Sequence, residues 1–245
     1  MGRGRLINDG PKTGPVNMAI DEMLLGRAAV SQVPTLRFYY WEQPTLSLGY
    51  FQPKDQRDHH KPSGSLPLVR RATGGGAIVH DRELTYSLVI PITDRLTDQH
   101  REHYLAVHRS VIATLSEFGI EASLSEGVKA RQDDPFLCFE RRSEGDVVIE
   151  SHKVLGSAQR RRANALLQHG SLLLKSSLYA PSLPGIEDLA KTSVDSDDLV
   201  SKLQQGIQNA LKIDWDFSSL AGDEWDEAAE IAREKFGHEA WNHRR

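Results

Sequence analysis

The chain contains one cysteine, Cys138, in 245 residues. That excludes an internal disulfide framework and any thiolate cluster for zinc. It contains no run of 18 or more apolar residues, so no transmembrane helix and no membrane partner are expected. A basic excess is missing as well: 30 Lys and Arg stand against 34 Asp and Glu, for a formal net charge of −4. A general nucleic-acid binder would carry the opposite balance, so no nucleic-acid partner is expected. The opening stretch Met1-Gly2-Arg3-Gly4-Arg5 has none of the apolar character of a secretory leader, and a cytoplasmic location is expected. Histidines at the spacing that puts two imidazoles on one helix face for zinc are also lacking. His100, His103 and His108 are three and five residues apart, His59-His60 sits in a polar loop, and no metal site is expected. There is no internal repeat and no long low-complexity tract.

What is present is an ordinary globular mixture, 39 % apolar and 26 % charged, of a length that fits one large domain. Pro15 ends a polar opening, and Asn17 is positioned to cap a helix reaching Gly26 or slightly beyond, with Asp21 and Glu22 near its positive end. The β-branched and aromatic runs Thr35–Trp41 and Thr45–Leu48 predict strands, and Lys54–Ser65 predicts a loop. Leu66–Arg71, Ala77–His80 and Thr85–Ile90 predict further strands. Tyr104, Val107, Val111, Leu115 and Phe118 form the stripe of a helix over Arg101–Phe118. Asp146–Glu150, Val154–Ala158 and Leu166–Leu174 predict an antiparallel meander, and Gly119–Gly145 is the least regular region. Asp133-Asp134 and Asp195–Asp198 read as turn and cap chemistry, and the four tryptophans as packing residues. The last quarter, about residues 181–245, is helical over Asp197–Leu211 and Glu224–Phe236. Strands grouped together and flanked by helices predict an α+β fold with a mixed or mostly antiparallel sheet, not alternating βαβ units.

The most informative stretch is Arg70-Arg71-Ala72-Thr73-Gly74-Gly75-Gly76-Ala77, followed by His80-Asp81. Three bare glycines between two strands permit positive φ and close approach of a ligand, and successive amides there can hold an oxygen anion. The pattern is neither a P-loop nor a dinucleotide fingerprint. A flexible hairpin turn would need no such crowd of polar groups around it.

This loop resembles the signature of the lipoate–protein ligase and octanoyltransferase superfamily, which is related in fold to biotin protein ligases. Asn17-Met18-Ala19-Ile20-Asp21-Glu22 resembles the first helix of that family, and Pro34–Tyr39 with Ser47–Gln52 its first β-ribbon. Lys153-Val154-Leu155-Gly156-Ser157-Ala158-Gln159, followed by Gln168-His169-Gly170-Ser171-Leu172, is similar to its lysine-bearing strand pair, and Glu239–Asn242 to its usual ending. The resemblance runs from about residue 17 to 242. It implies one catalytic domain with no accessory domain.

Within the superfamily the resemblance is closest to the LipM-type octanoyltransferases. Cys138 lies 15 residues before Lys153, in Phe136-Leu137-Cys138-Phe139, a similar Cys-Phe context to their nucleophile, and the Asn-Asp pair that ligases resemble one another in carrying is absent there. The resemblance implies transfer of an octanoyl group from octanoyl-acyl carrier protein to a lysine of a lipoyl domain, such as the glycine-cleavage H protein. Cys138 would carry the acyl group and Lys153 would supply charge. Arg70, Arg71, Thr73, Gly74, Gly75, Gly76, His80, Gly156, Ser157 and Ala158 would bind the acyl substrate. His80 and His169 are expected to support these motifs, and Arg160-Arg161-Arg162 to be either a solvated turn or a dock for an acidic carrier domain. A thioester donor is already activated, so no cofactor is expected. The chain is expected to be a monomer.

Three alternatives remain open. An ATP-dependent lipoate–protein ligase would use the same loop and lysine with ATP and Mg. An amidotransferase between lipoyl domains would share the cysteine and differ in its donor. A catalytically silent member would only bind acyl groups or carrier proteins.

Overall fold

The computed structural model describes residues 2–92, 97–127 and 135–244. Its first element is an unforeseen strand, β1 (Gly2–Asn8), followed by α1 (Gly14–Ser31). Asn17 does not cap α1. The helix starts a turn earlier, with Pro15 in its first turn, and the buried Asn17 amide donates instead to the carbonyls of Lys12 and Tyr40. The helix ends at Gln32, whose left-handed backbone lets its N–H reach the carbonyl of Ala28.

β2 (Thr35–Tyr39), β3 (Thr45–Leu48), β4 (Leu68–Arg70), β5 (Ile78–His80) and β6 (Glu83–Pro91) follow. The segment expected as a loop after Phe51 winds into two short 3₁₀ turns, Lys54–His59 and Lys61–Ser63. α2 (Thr97–Glu117) buries Val107, Val111 and Leu115 at the spacing read from the sequence. After β7 (Ser123–Glu126) the meander forms as β8 (Glu144–Ile149), β9 (His152–Arg162) and β10 (Ala165–Leu173). Arg160–Arg162 therefore extend strand β9 rather than forming a turn. The helical quarter contains α3 (Ile186–Ala190), α4 (Ser196–Leu211), α5 (Gly222–Ile231), which runs on through a π turn to Phe236, and α6 (Glu239–Asn242). It also holds a strand, β11 (Ile213–Phe217). The Asp195 carboxylate caps α4 by accepting from the amides of Asp197 and Asp198. Asp133-Asp134 lies outside the described residues.

Eight strands pair in the order β11-β1-β2-β6-β10-β9-β8-β7, and β4-β3-β5 forms a smaller sheet. β11, β1 and β2 run parallel, and the remaining pairs of the large sheet are antiparallel. The sheet is mixed and the fold α+β. Because side chains alternate across a sheet, the register fixes two faces. Leu36, Phe38, Tyr86, Leu88, Leu155 and Leu172 pack under α2 and α4. On the other face, Val89, Ala165 and Leu167 pack under α1. On that second face the register also aligns Tyr39 with Thr85, Thr85 with Ser171, and Ser171 with Gly156. These small and polar residues leave a hollow beside α1, which the three-stranded sheet roofs.

Candidate active site

The hollow is a cleft walled by Met18, Tyr39, Ile78 and Phe139 among others. Gly74 and Gly75 form one lip, and Gly156, Ser157 and Ala158 of β9 form the opposite side. Cys138 reaches it through a short local pairing. The Ala77 amide donates to the Phe136 carbonyl at 3.0 Å, and the Cys138 amide donates to the Ala77 carbonyl at 2.8 Å. This parallel bridge lays the cysteine against the glycine turn. Gly75 has φ +96°, a conformation that disfavours any side chain, and a Cβ there would lie 3.9 Å from Cys138 Sγ.

Lys153 leaves β9 near an irregular register between Val147 and Val148. Its side chain is almost fully buried, with Nζ 2.9 Å from Asp146 Oδ2 and 3.8 Å from Cys138 Sγ. The expected cysteine and lysine are thus in contact. Burial alone would push the Cys138 thiol up. The positive charges of Lys153, Arg71 and Arg141 and the Gly76 amide overcome that and hold it below the ordinary thiol value.

Arg71 is buried under the glycine turn and donates to the carbonyls of Gly74 at 2.9 Å and Gly76 at 2.6 Å. Burial lowers its pKa to about 10, against the pull of Cys138. Its other nitrogen donates to the Ser47 carbonyl and hydroxyl. Ser47 Oγ lies 2.9 Å from His80 Nε2, and His80 Nδ1 lies 2.6 Å from Glu83 Oε1. Trp41 stacks on the His80 ring at 3.8 Å. His80 thus braces the arginine that braces the loop.

Arg70 does not line the cleft, contrary to expectation. Its guanidinium donates to the carbonyls of Gly49, Gln52 and Asn242, so it ties the β-ribbon to α6. Five N–H donors make arginine suited to gathering several carbonyls at once. Thr73 does not face the substrate space either: its hydroxyl is 2.7 Å from His169 Nε2.

Three contributors were not read from the sequence. Asp146 pairs with the lysine. Arg141 adds positive charge near the thiol. Asp21, expected near the positive end of α1, is buried and accepts from His169 Nδ1, Arg37 and the Tyr39 hydroxyl. A signal for Asp21 existed. It falls four residues after Asn17 and three before Leu24, on the inward stripe of α1, where a carboxylate needs partners. Among the described residues no group of three or more His, Cys, Asp or Glu is placed to hold a metal, and no helix is long and apolar enough to cross a membrane.

Residues 13–213 match the lipoyl protein ligase A/B catalytic domain. The octanoyltransferase LipM of Carboxydothermus hydrogenoformans is 42 % identical over 70 % of this chain and 65 % of its own length. LipM of Symbiobacterium thermophilum is 34 % identical over 98 % of both chains. A Thermoplasma acidophilum protein described as a lipoate protein ligase, solved with bound lipoic acid, superposes with a TM-score of 0.81 at 25 % identity, covering 99 % of this chain and all of its own.

Proposed function

This chain belongs to the lipoyl protein ligase A/B catalytic domain family, and from that premise we propose that it is an octanoyltransferase working through a Cys138 thioester. Acyl transfer in protein lipoylation is its chemistry. The observation that carries the finer reading is the 3.8 Å approach of Lys153 Nζ to Cys138 Sγ within the cleft lined by the glycine turn.

The cycle has two half-reactions. The Cys138 thiolate attacks the carbonyl carbon of an octanoyl thioester, the donor carbon–sulfur bond breaks, and the donor leaves as its own thiolate. One thioester replaces another at little net cost, so no nucleotide is called for. The carbonyl oxygen gains negative charge as the bond forms, and the Lys153 ammonium, 3.8 Å from Cys138 Sγ, is placed to meet it. One such donor is worth about 3 kcal/mol to a transition state. In the second half-reaction a lysine amine of the acceptor attacks the acyl-enzyme, the carbon–sulfur bond to Cys138 breaks as the amide forms, the nitrogen releases its proton to solvent, and Cys138 departs as the thiolate its surroundings favour. The donor is octanoyl-acyl carrier protein and the acceptor a lipoyl domain or glycine-cleavage H protein. Arg71, Gly74 and Gly75 hold the acyl head, while Met18, Ile78 and Phe139 receive the tail.

Intact mass after incubation with octanoyl-acyl carrier protein tests this reading. An octanoyl adduct is expected on the wild-type chain and none on Cys138→Ala, which also loses transfer. Full transfer by Cys138→Ala, or lipoate-dependent pyrophosphate release from ATP, would move the assignment to a ligase. A carrier-domain donor run in parallel distinguishes amidotransfer.

A further inference from the structure

His108 has no part in the chemistry above, yet it is fully buried on α2 directly behind β8 and β9. Its Nδ1 is 2.7 Å from the Gly145 carbonyl. A carbonyl only accepts, so Nδ1 carries the proton and Nε2 of the neutral ring is an acceptor. Ser157 Oγ lies 2.7 Å from that Nε2 and therefore donates to it. Tyr86 reaches the same Ser157 oxygen at 2.7 Å, and Gln168 Nε2 donates to the Tyr86 hydroxyl, which fixes the direction of the whole chain. Burial lowers the pKa of His108 to about 4, which keeps the ring neutral near neutral pH.

The two anchor points flank the ion pair. Gly145 immediately precedes Asp146, and Ser157 immediately follows Gly156, against which Lys153 folds. One turn earlier on the same helix, Tyr104 lies against His108 at a ring separation of 4.1 Å and donates its hydroxyl to Asp146 Oδ1 at 3.2 Å. That leaves Asp146 Oδ2 to accept from the Ser143 amide at 2.7 Å and from Lys153 at 2.9 Å. Each carboxylate oxygen is thus committed, and the carboxylate cannot turn without breaking a bond.

We infer that Tyr104 and His108 are positioning residues: by clamping β8 and β9 from behind, they hold the Asp146–Lys153 pair against Cys138. They touch neither thiol nor substrate. The inference rests on Cys138 being the nucleophile whose charge partner is Lys153, so its test reads the thiol directly.

The experiment measures the rate of Cys138 alkylation by iodoacetamide against pH in the full chain, with thermal unfolding of each variant alongside. In the wild type the midpoint lies below that of a free thiol. Tyr104→Phe removes one hydroxyl and preserves packing, and His108→Asn keeps a donor toward Gly145 while losing the Ser157 contact. Both are expected to raise the midpoint by about one pH unit, the scale on which a displaced charge partner moves a thiol. Val107→Ala loosens α2 without touching the clamp, and is expected to lower the melting temperature and leave the midpoint in place. A Tyr104→Phe profile that superimposes on the wild type overturns the inference, as does an equal shift in Val107→Ala. A wild-type midpoint at the free-thiol value fails the Cys138 reading instead.

Discussion

Gly156 shows how much of the site depends on a side chain that is missing. A Cβ at this position would lie 2.3 Å from Lys153 Cε and 2.6 Å from its Nζ. The obstacle is the far end of a flexible side chain, so Gly156→Ala is accommodated by moving the lysine rather than the backbone. The expected outcome is a fall in transfer of about tenfold or more, since small displacements of a catalytic group are costly, with a lower melting temperature because the lysine is pushed from its buried partner Asp146. Steady-state transfer with calorimetry on the same preparation checks it, and retained activity would show that Lys153 acts equally well from elsewhere. At this scale the sequence was informative where chemistry is carried by neighbours in the chain: Cys138, Lys153 and the triglycine turn all stand in short motifs. It was silent on Asp146. That pairing is set by the irregular register between β8 and β9, which no local pattern encodes. Arg70 and Arg71 are adjacent and chemically identical, yet they serve different neighbours, Arg70 as the last residue of β4 and Arg71 as the first beyond it.

Among the elements, helices α2 and α4 and the meander were legible because each carries its periodicity within itself. β1 and β11 were missed although Ile213, Trp215 and Phe217 alternate with Asp214 and Asp216. Their parallel pairing joins Gly2 to Ile213, a contact between opposite ends of the chain that exists only once the sheet is assembled. The joint between α1 and β2 was hidden for a different reason. The fully buried Arg37 donates to Asp9 at 2.8 Å, Asp21 at 3.1 Å and the Asn17 side chain at 2.7 Å, and lies 3.9 Å over the Tyr39 ring. Polar residues at positions that periodicity assigns to the interior are satisfied by one another, and their partners are not deducible singly. Arg37→Leu leaves the Asp21 carboxylate buried without its cation. It is expected to cost about 3–5 kcal/mol, read as a lower urea midpoint with unchanged m-value. The double variant Arg37→Leu with Asp21→Leu recovers part of that loss if the charge, and not the shape, is what matters.

Over the whole molecule the buried histidines set a dependence on acid. Burial lowers the pKa of His108 from 6.5 to about 4, and burial also lowers that of His80 despite the neighbouring Glu83. Between pH 6.5 and 4 the unfolded chain binds a proton at His108 that the native state refuses, and the lowered His80 acts in the same direction. Stability therefore rises with pH through this window and is lost on acidification. His108 alone accounts for roughly 3 kcal/mol at the acid end of that range, at about 1.4 kcal/mol per unit. Asp21 acts in a different window. Burial opposes its charge, but His169 and Arg37 outweigh burial and hold its carboxyl below 3.8, so its contribution persists above the carboxylate range and falls away only in stronger acid. Urea midpoints measured from pH 7 to 4.5 should fall steadily, with His108→Asn falling less steeply by close to one proton. A flat profile in the wild type would mean that the native fold accepts protons at both rings. The clamp of α2 behind the ion pair would then have to survive with His108 charged, which its contact with the Gly145 carbonyl permits and its contact with the Ser157 hydroxyl proton does not.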